Sequence, residues 1–255
     1  MYLTNASNLT PQAGRFFAKP TAQKSVQLAP LFMRSVRRIE ESSSLAYLFD
    51  DKEADAFFHR HYSLLVNESD MGCVLIGASA IDQELTTLFE TITPNDANSK
   101  IKKRIFDGRG VLGELSSKLD IAYLCHLIPK DLYLAVHALR KLRNLIAHEV
   151  MAFKLENHID EIYTIFSQMN GNLIGVMMNT SETVLTEQAV SKMLDLDHPI
   201  NITEKSFPNR NEAINYLLEN PDLIEKLNSH KLRIAFVIGI SLLGASVVFR
   251  KKTSI

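Results

Sequence analysis

The chain has 255 residues, 46% of them hydrophobic, and a formal net charge of −1. That composition suits one large or two small globular domains and excludes a protein whose overall field is that of a basic nucleic-acid binder. Two cysteines, Cys73 and Cys125, cannot build a disulfide or zinc framework, and both fall on apolar stretches expected to be helical, as buried free thiols. With no hydrophobic signal segment at the N-terminus, a reducing cytosol is the expected location of the main body.

Residues 1–42 scatter Asn, Thr, Pro, Gly and Ser without a sustained period. Arg15, Lys19, Lys24, Arg34, Arg37 and Arg38 stand against the single acid Glu40 in residues 1–40. The expectation is a poorly ordered basic leader, with an arm that touches RNA, DNA or anionic lipid as the alternative. Glu41 to Leu65 reads as one or two helices carrying Phe57 and Phe58. Asn67, Glu68, Ser69 and Asp70 then supply capping groups for a helix from Asp70 to about Thr91. On it Asp82 projects among Leu75, Ala78 and Leu85, on the apolar face or at its edge.

Thr93 to Gly110 is expected to be a loop, with a strong turn at Asp107-Gly108-Arg109-Gly110. Lys100, Lys102, Lys103, Arg104 and Arg109 make it locally basic, either as a solvated charge run or as a surface contacting the phosphates of a nucleic acid. No P-loop or dinucleotide fingerprint is present. A helix from about Leu112 to Leu127 comes next, with His126 read as a hydrogen-bonded core residue.

The helix after it, Asp131 to His148, places Leu132, Ala135, Val136, Leu139, Leu142 and Ile146 on one broad face. His137, Lys141, Asn144 and His148 gather opposite. Arg143 projects between Val136 and Leu139, so a buried carboxylate is expected to meet it, with Asp82 as its structural ion-pair partner. A helix from His158 to Met169 closes the helical unit.

Beyond it the pattern changes. Asn172 to Asn179 reads as a short buried strand, Ser181 to Leu196 as a helix, Pro199 to Phe207 as β-rich, and Asn211 to Glu219 as a helix. Last comes Ile234 to Phe249, sixteen residues without a charge, flanked by Lys231, Arg233, Arg250, Lys251 and Lys252. It would span roughly 24 Å as a helix, and snorkelling bases would extend that toward the hydrocarbon thickness of about 30 Å. The expected fold is therefore mainly α: a helical bundle at 43–170, a small βαβα unit at 171–230, and a transmembrane anchor at 231–255. The anchor would hold a cytoplasmic body at the inner membrane.

Three resemblances attach to these motifs. Arg143-Asn144-Leu145-Ile146-Ala147-His148 is an R-N-x-x-x-H pattern that resembles the motif of the HEPN superfamily of helical bundles. Gly110 to His148, with Asp70 to Glu90 before it, resembles the mannitol operon repressor family over roughly residues 45–168. Phe207-Pro208 and Glu212 to Leu217 resemble the second half of a STAS-like domain.

The repressor resemblance implies a non-catalytic regulatory or interaction protein without a helix-turn-helix, in which Arg143 is structural and Asn144 and His148 cap a helix end. The HEPN resemblance implies a metal-independent endoribonuclease with Arg143, Asn144 and His148 as catalytic residues. Arg143 and His148 point about 140° apart on a straight helix, so one site would need the helix to end near Ala147 or two protomers to face each other. A membrane-tethered scaffold is the third reading. No cofactor or metal is implied, and the expected partner is a second copy or another protein.

Overall fold

The computed structural model describes residues 45–147, 153–169, 172–197 and 204–253. The basic leader and His148 lie outside them. Among the described residues ten α-helices run in order: α1 Tyr47–Asp50, α2 Lys52–Leu65, α3 Asp70–Ile92, α4 Ser99–Phe106, α5 Leu115–Leu124, α6 Lys130–Ile146, α7 Ile159–Ser167, α8 Leu173–Leu194, α9 Arg210–Leu218 and α10 Pro221–Thr253. The described residues within 45–179 and 232–253 form one compact unit and those within 180–231 another.

Local chemistry explains several of the helix starts. Asp51 accepts hydrogen bonds from the N–H groups of Glu53 and Ala54 to open α2, and the Ser69 hydroxyl accepts from Gly72 N–H to open α3. Asn209 accepts from Glu212 N–H while its amide donates to the Glu212 carboxylate at 2.7 Å, a reciprocal cap for α9.

The first unit is a bundle built around the end of the chain's most apolar stretch. In α10 nearly every residue from Ile234 to Val248 is buried. Phe236 meets Phe166 of α7 edge-on at 5.8 Å, and Phe249 meets Tyr47 of α1 at 4.7 Å. Ile240 lies over Gly77 of α3, and Gly244 lies against the Phe57 ring of α2. A helix apolar all round is what such an enclosed position requires. Its two buried hydroxyls, Ser241 and Ser246, donate to the carbonyls of Val237 and Leu242 one turn back.

Three of the flanking bases have partners inside the same unit. Arg233 donates to the carbonyls of Val66 and Glu68 and lies 3.4 Å from the Asp70 carboxylate. Lys251 pairs with Glu84 at 2.6 Å, and Lys252 with Asp51 at 2.9 Å. The helix is long and apolar enough to cross a membrane, yet 83% of its most apolar window is buried within the protein. Residues 234–248 are thus buried within the same unit as the bundle.

In the second unit Val190, Met193 and Ala213 form a small core, joined by Phe207 and Tyr216 with ring centroids 5.2 Å apart. The βαβα expectation fails here. Residues 173–179 are the first two turns of α8, with Leu173 and Met177 buried at helical spacing. Asn172, at a left-handed φ of 54°, accepts the Gly175 N–H on its side chain and the Val176 N–H on its carbonyl. A short apolar run is compatible with either a strand or a buried helix, and length settles it for the helix.

Of the β-rich run, 199–203 lie outside the described residues. The remainder pairs only as an isolated antiparallel bridge, Asp197 with Lys205. No strand occurs among the described residues, so the βαβα unit finds no support there.

Candidate functional site: the outer face of α6 and α7

Pro129 precedes α6 in an extended conformation, and Asp131 accepts its neighbour Leu132's N–H, so the helix starts where its sequence says it should. All six residues expected on its inner face are buried: Leu132, Ala135, Val136, Leu139, Leu142 and Ile146. They pack the helix against α3, α5 and α7.

Arg143 is half-buried, and the carboxylate expected to meet it is occupied elsewhere. Asp82 accepts from the Lys118 ammonium at 2.7 Å, with the Lys118 side chain only 7% exposed. Asp82 does sit where an inward-facing charge needs a partner, but α5 supplies that partner. A helical wheel gives the direction of Asp82 and says nothing about which neighbouring helix approaches it. Among the described residues no ion pair involves Arg143. Asn144 is exposed beside it, one residue and about 100° away.

The outer face of α6 and the facing side of α7 enclose an open cleft of about 420 Å³. Leu134, Leu142 and Leu145 give it an apolar floor, His137 and Lys141 one edge, and Asp160 and Glu161 the other. Leu134 and Leu145 are both more than a third exposed, a cost that a covered face would not carry. Burial holds the His137 imidazole below its ordinary range, helped by the positive charges of Arg140 and Lys141. It is a neutral hydrogen-bonding group near pH 7. At the start of the helix the Tyr133 hydroxyl donates to Asp120 at 3.0 Å, which raises its pKa, and its ring stacks on Tyr123 at 4.7 Å.

The five bases expected on a loop fall on α4 and the turn after it. Asn98 caps α4 by accepting Lys100 N–H at 2.8 Å, and Ile101 and Ile105 share one side of it. The Gly110 N–H donates to Asp107 O, and Leu112 N–H donates to Ile105 O at 2.8 Å, folding the turn back on the helix end. A Cβ at Gly110 would lie 2.6 Å from the Ile105 carbonyl carbon, so only glycine fits. The turn residues at the start of this segment had masked an eight-residue helix.

Two smaller expectations also change. His126 and Cys125 are exposed just past the end of α5, where His126 takes a left-handed φ of 57°. The chain reverses there so that Leu127 and Ile128 can plug the core in place of His126. Cys73 is buried as expected; its thiol lies 3.2 Å from the Leu65 carbonyl, and burial pushes its pKa up to about 11.

Among the described residues no three or more His, Cys, Asp or Glu side chains converge as a metal site would need. No family model, no curated protein and no solved structure matches the chain.

Proposed function

We propose that this chain is a non-catalytic regulatory module, of the kind its resemblance to the mannitol operon repressors implies, acting through protein contact on the α6–α7 face. The observation that carries this reading is the cleft itself. Its partly exposed leucine floor lies between a lysine edge and an acidic edge. A surface with both signs is complementary to itself: across a two-fold axis Lys141 of one copy faces Asp160 and Glu161 of the other. The occupant is therefore a second copy.

Sedimentation of the intact chain tests the contact. The parent is expected to be a dimer, Lys141→Glu a monomer, and the combined Lys141→Glu, Asp160→Lys chain a dimer again. Transcript profiles of host cells test the role: the monomeric variant should reproduce the profile of cells lacking the chain. A monomeric parent refutes the contact, and an unchanged profile refutes the regulatory role.

The ribonuclease reading has one observation in its favour. Arg143 is accessible at its half-exposed edge, next to exposed Asn144, rather than locked to Asp82. Cleavage of RNA by the intact chain, lost in both Arg143→Ala and His148→Ala, would establish it over the regulatory reading.

Anchoring at an inner membrane through 234–249 has the length and composition of α10 behind it. Against anchoring stand the enclosure of the helix and the ion pairs at its ends, and we favour a core helix. Recovery of the intact chain in the soluble fraction after a high-salt wash supports that choice; a salt-resistant membrane fraction reverses it.

A further inference from the structure

We infer that α4 and its glycine turn form a peripheral contact for an anionic lipid surface. This goes beyond the dimer reading and does not depend on it. Residues 92–113 hold five bases, Lys100, Lys102, Lys103, Arg104 and Arg109, against two acids, Asp96 and Asp107. Four other bases of the same unit have carboxylate partners: Lys118 with Asp82, Arg233 with Asp70, Lys251 with Glu84, Lys252 with Asp51. Among the described residues none of the five bases on α4 and its turn takes part in an ion pair. One of the two acids is also engaged, since Asp107 accepts Gly108 N–H at 2.8 Å.

The apolar residues decide which polyanion fits. No residue of α4 is buried. Ile101 is 44% exposed, and Val111, held beside the end of α4 by the bond from Leu112 N–H to Ile105 O, is 65% exposed. Contact with a duplex backbone uses bases and has no need of exposed isoleucine and valine. Single-stranded RNA is gripped by stacking on exposed rings, and the one aromatic in this segment, Phe106, is half-buried. Bases interleaved with exposed branched apolar side chains suit a headgroup layer, where the charges meet anionic lipid and the apolar tips enter the acyl boundary.

The test is co-sedimentation of the intact chain with vesicles of phosphatidylcholine alone or mixed with phosphatidylglycerol, with duplex DNA and single-stranded RNA binding measured in parallel. The chain should bind only the anionic vesicles, and lose them at about 1 M salt, where screening acts over roughly 3 Å. Lys102→Gln, Lys103→Gln and Arg104→Gln together should weaken partitioning on the order of 100-fold, at roughly fivefold per charge. Ile101→Ser should weaken it roughly tenfold while leaving any nucleic-acid binding unchanged. Failure to bind anionic vesicles, or a triple variant that binds like the parent, overturns the inference. So does tight nucleic-acid binding that the triple variant abolishes while vesicle binding is unaffected by Ile101→Ser; the partner is then a nucleic acid.

Discussion

Replacing Gly244 by alanine separates a helix enclosed by protein from one that lies in lipid. In a helix interior this change normally stabilises by about 1 kcal/mol, because glycine loses more backbone freedom on folding. Here the new Cβ would sit 2.5 Å from the Phe57 Cζ, well inside van der Waals contact. Phe57 has little room to retreat, being 2% exposed and stacked on the His61 ring at 3.7 Å. Overpacking of a filled core costs about 1–3 kcal/mol, so the net effect is a loss of up to about 2 kcal/mol. For a chain of this size that lowers Tm by up to about 8 °C. Thermal denaturation followed by circular dichroism reads the change directly. Phe57→Leu should relieve the clash, so the double variant should be more stable than the two single losses added together. A Gly244→Ala chain that melts at or above the parent, uncoupled from Phe57, would refute the packing of α10 inside the bundle.

Lys118→Ala leaves the half-buried Asp82 carboxylate without its ammonium and should cost about 1–3 kcal/mol in chemical denaturation, whereas half-buried Arg143→Ala should cost under about 1 kcal/mol. His61 and His137 are both held below their ordinary pKa, chiefly by burial, so the unfolded chain binds more protons in that window. Their contribution is present above about pH 6.5 and lost as pH falls through the folded values; His137→Gln should flatten part of that slope in pH-dependent melts. A thiol reagent should titrate one cysteine in the native protein, exposed Cys125, and two after unfolding, because the Cys73 thiol is buried with its pKa pushed up to about 11. Deleting residues 232–253 should leave an aggregating chain rather than a soluble fragment, as solubility after expression will show, since it removes Phe236, Ile240 and their neighbours from the core.

Helices with one apolar face were legible from spacing alone. The inner residues of α6 and the start of α3 at Ser69 lie where periodicity and capping chemistry put them. Two kinds of failure stand out. Asn172 to Asn179 carries no face to read, because an apolar run has the same signature in a strand as in a buried helix. The identity of a neighbour was equally hidden: Asp82 faces inward as its position implies, but Lys118 reaches it from a helix whose approach no single-helix pattern contains. The same limit governs α10. Hydropathy measures how apolar a helix is, and that value is the same whether lipid or other helices surround it. The α6–α7 cleft was half visible, since His137 and Lys141 were read as outward, but Asp160 and Glu161 join them only through the packing of α7.

The bundle's central helix is also the last of its parts to be synthesised. The described residues of 45–179 and those of 232–253 belong to one unit, and the second unit, 180–231, separates them in the chain. At about 5–20 residues per second the ribosome needs several seconds to cross that interval and deliver α10. During that time the inward sides of Phe57, Gly77 and Phe166 lack the helix that covers them in the finished fold. The nascent chain therefore carries these apolar surfaces uncovered until α10 is made. A pause within 180–231 would lengthen that exposure without altering a single residue of the finished protein.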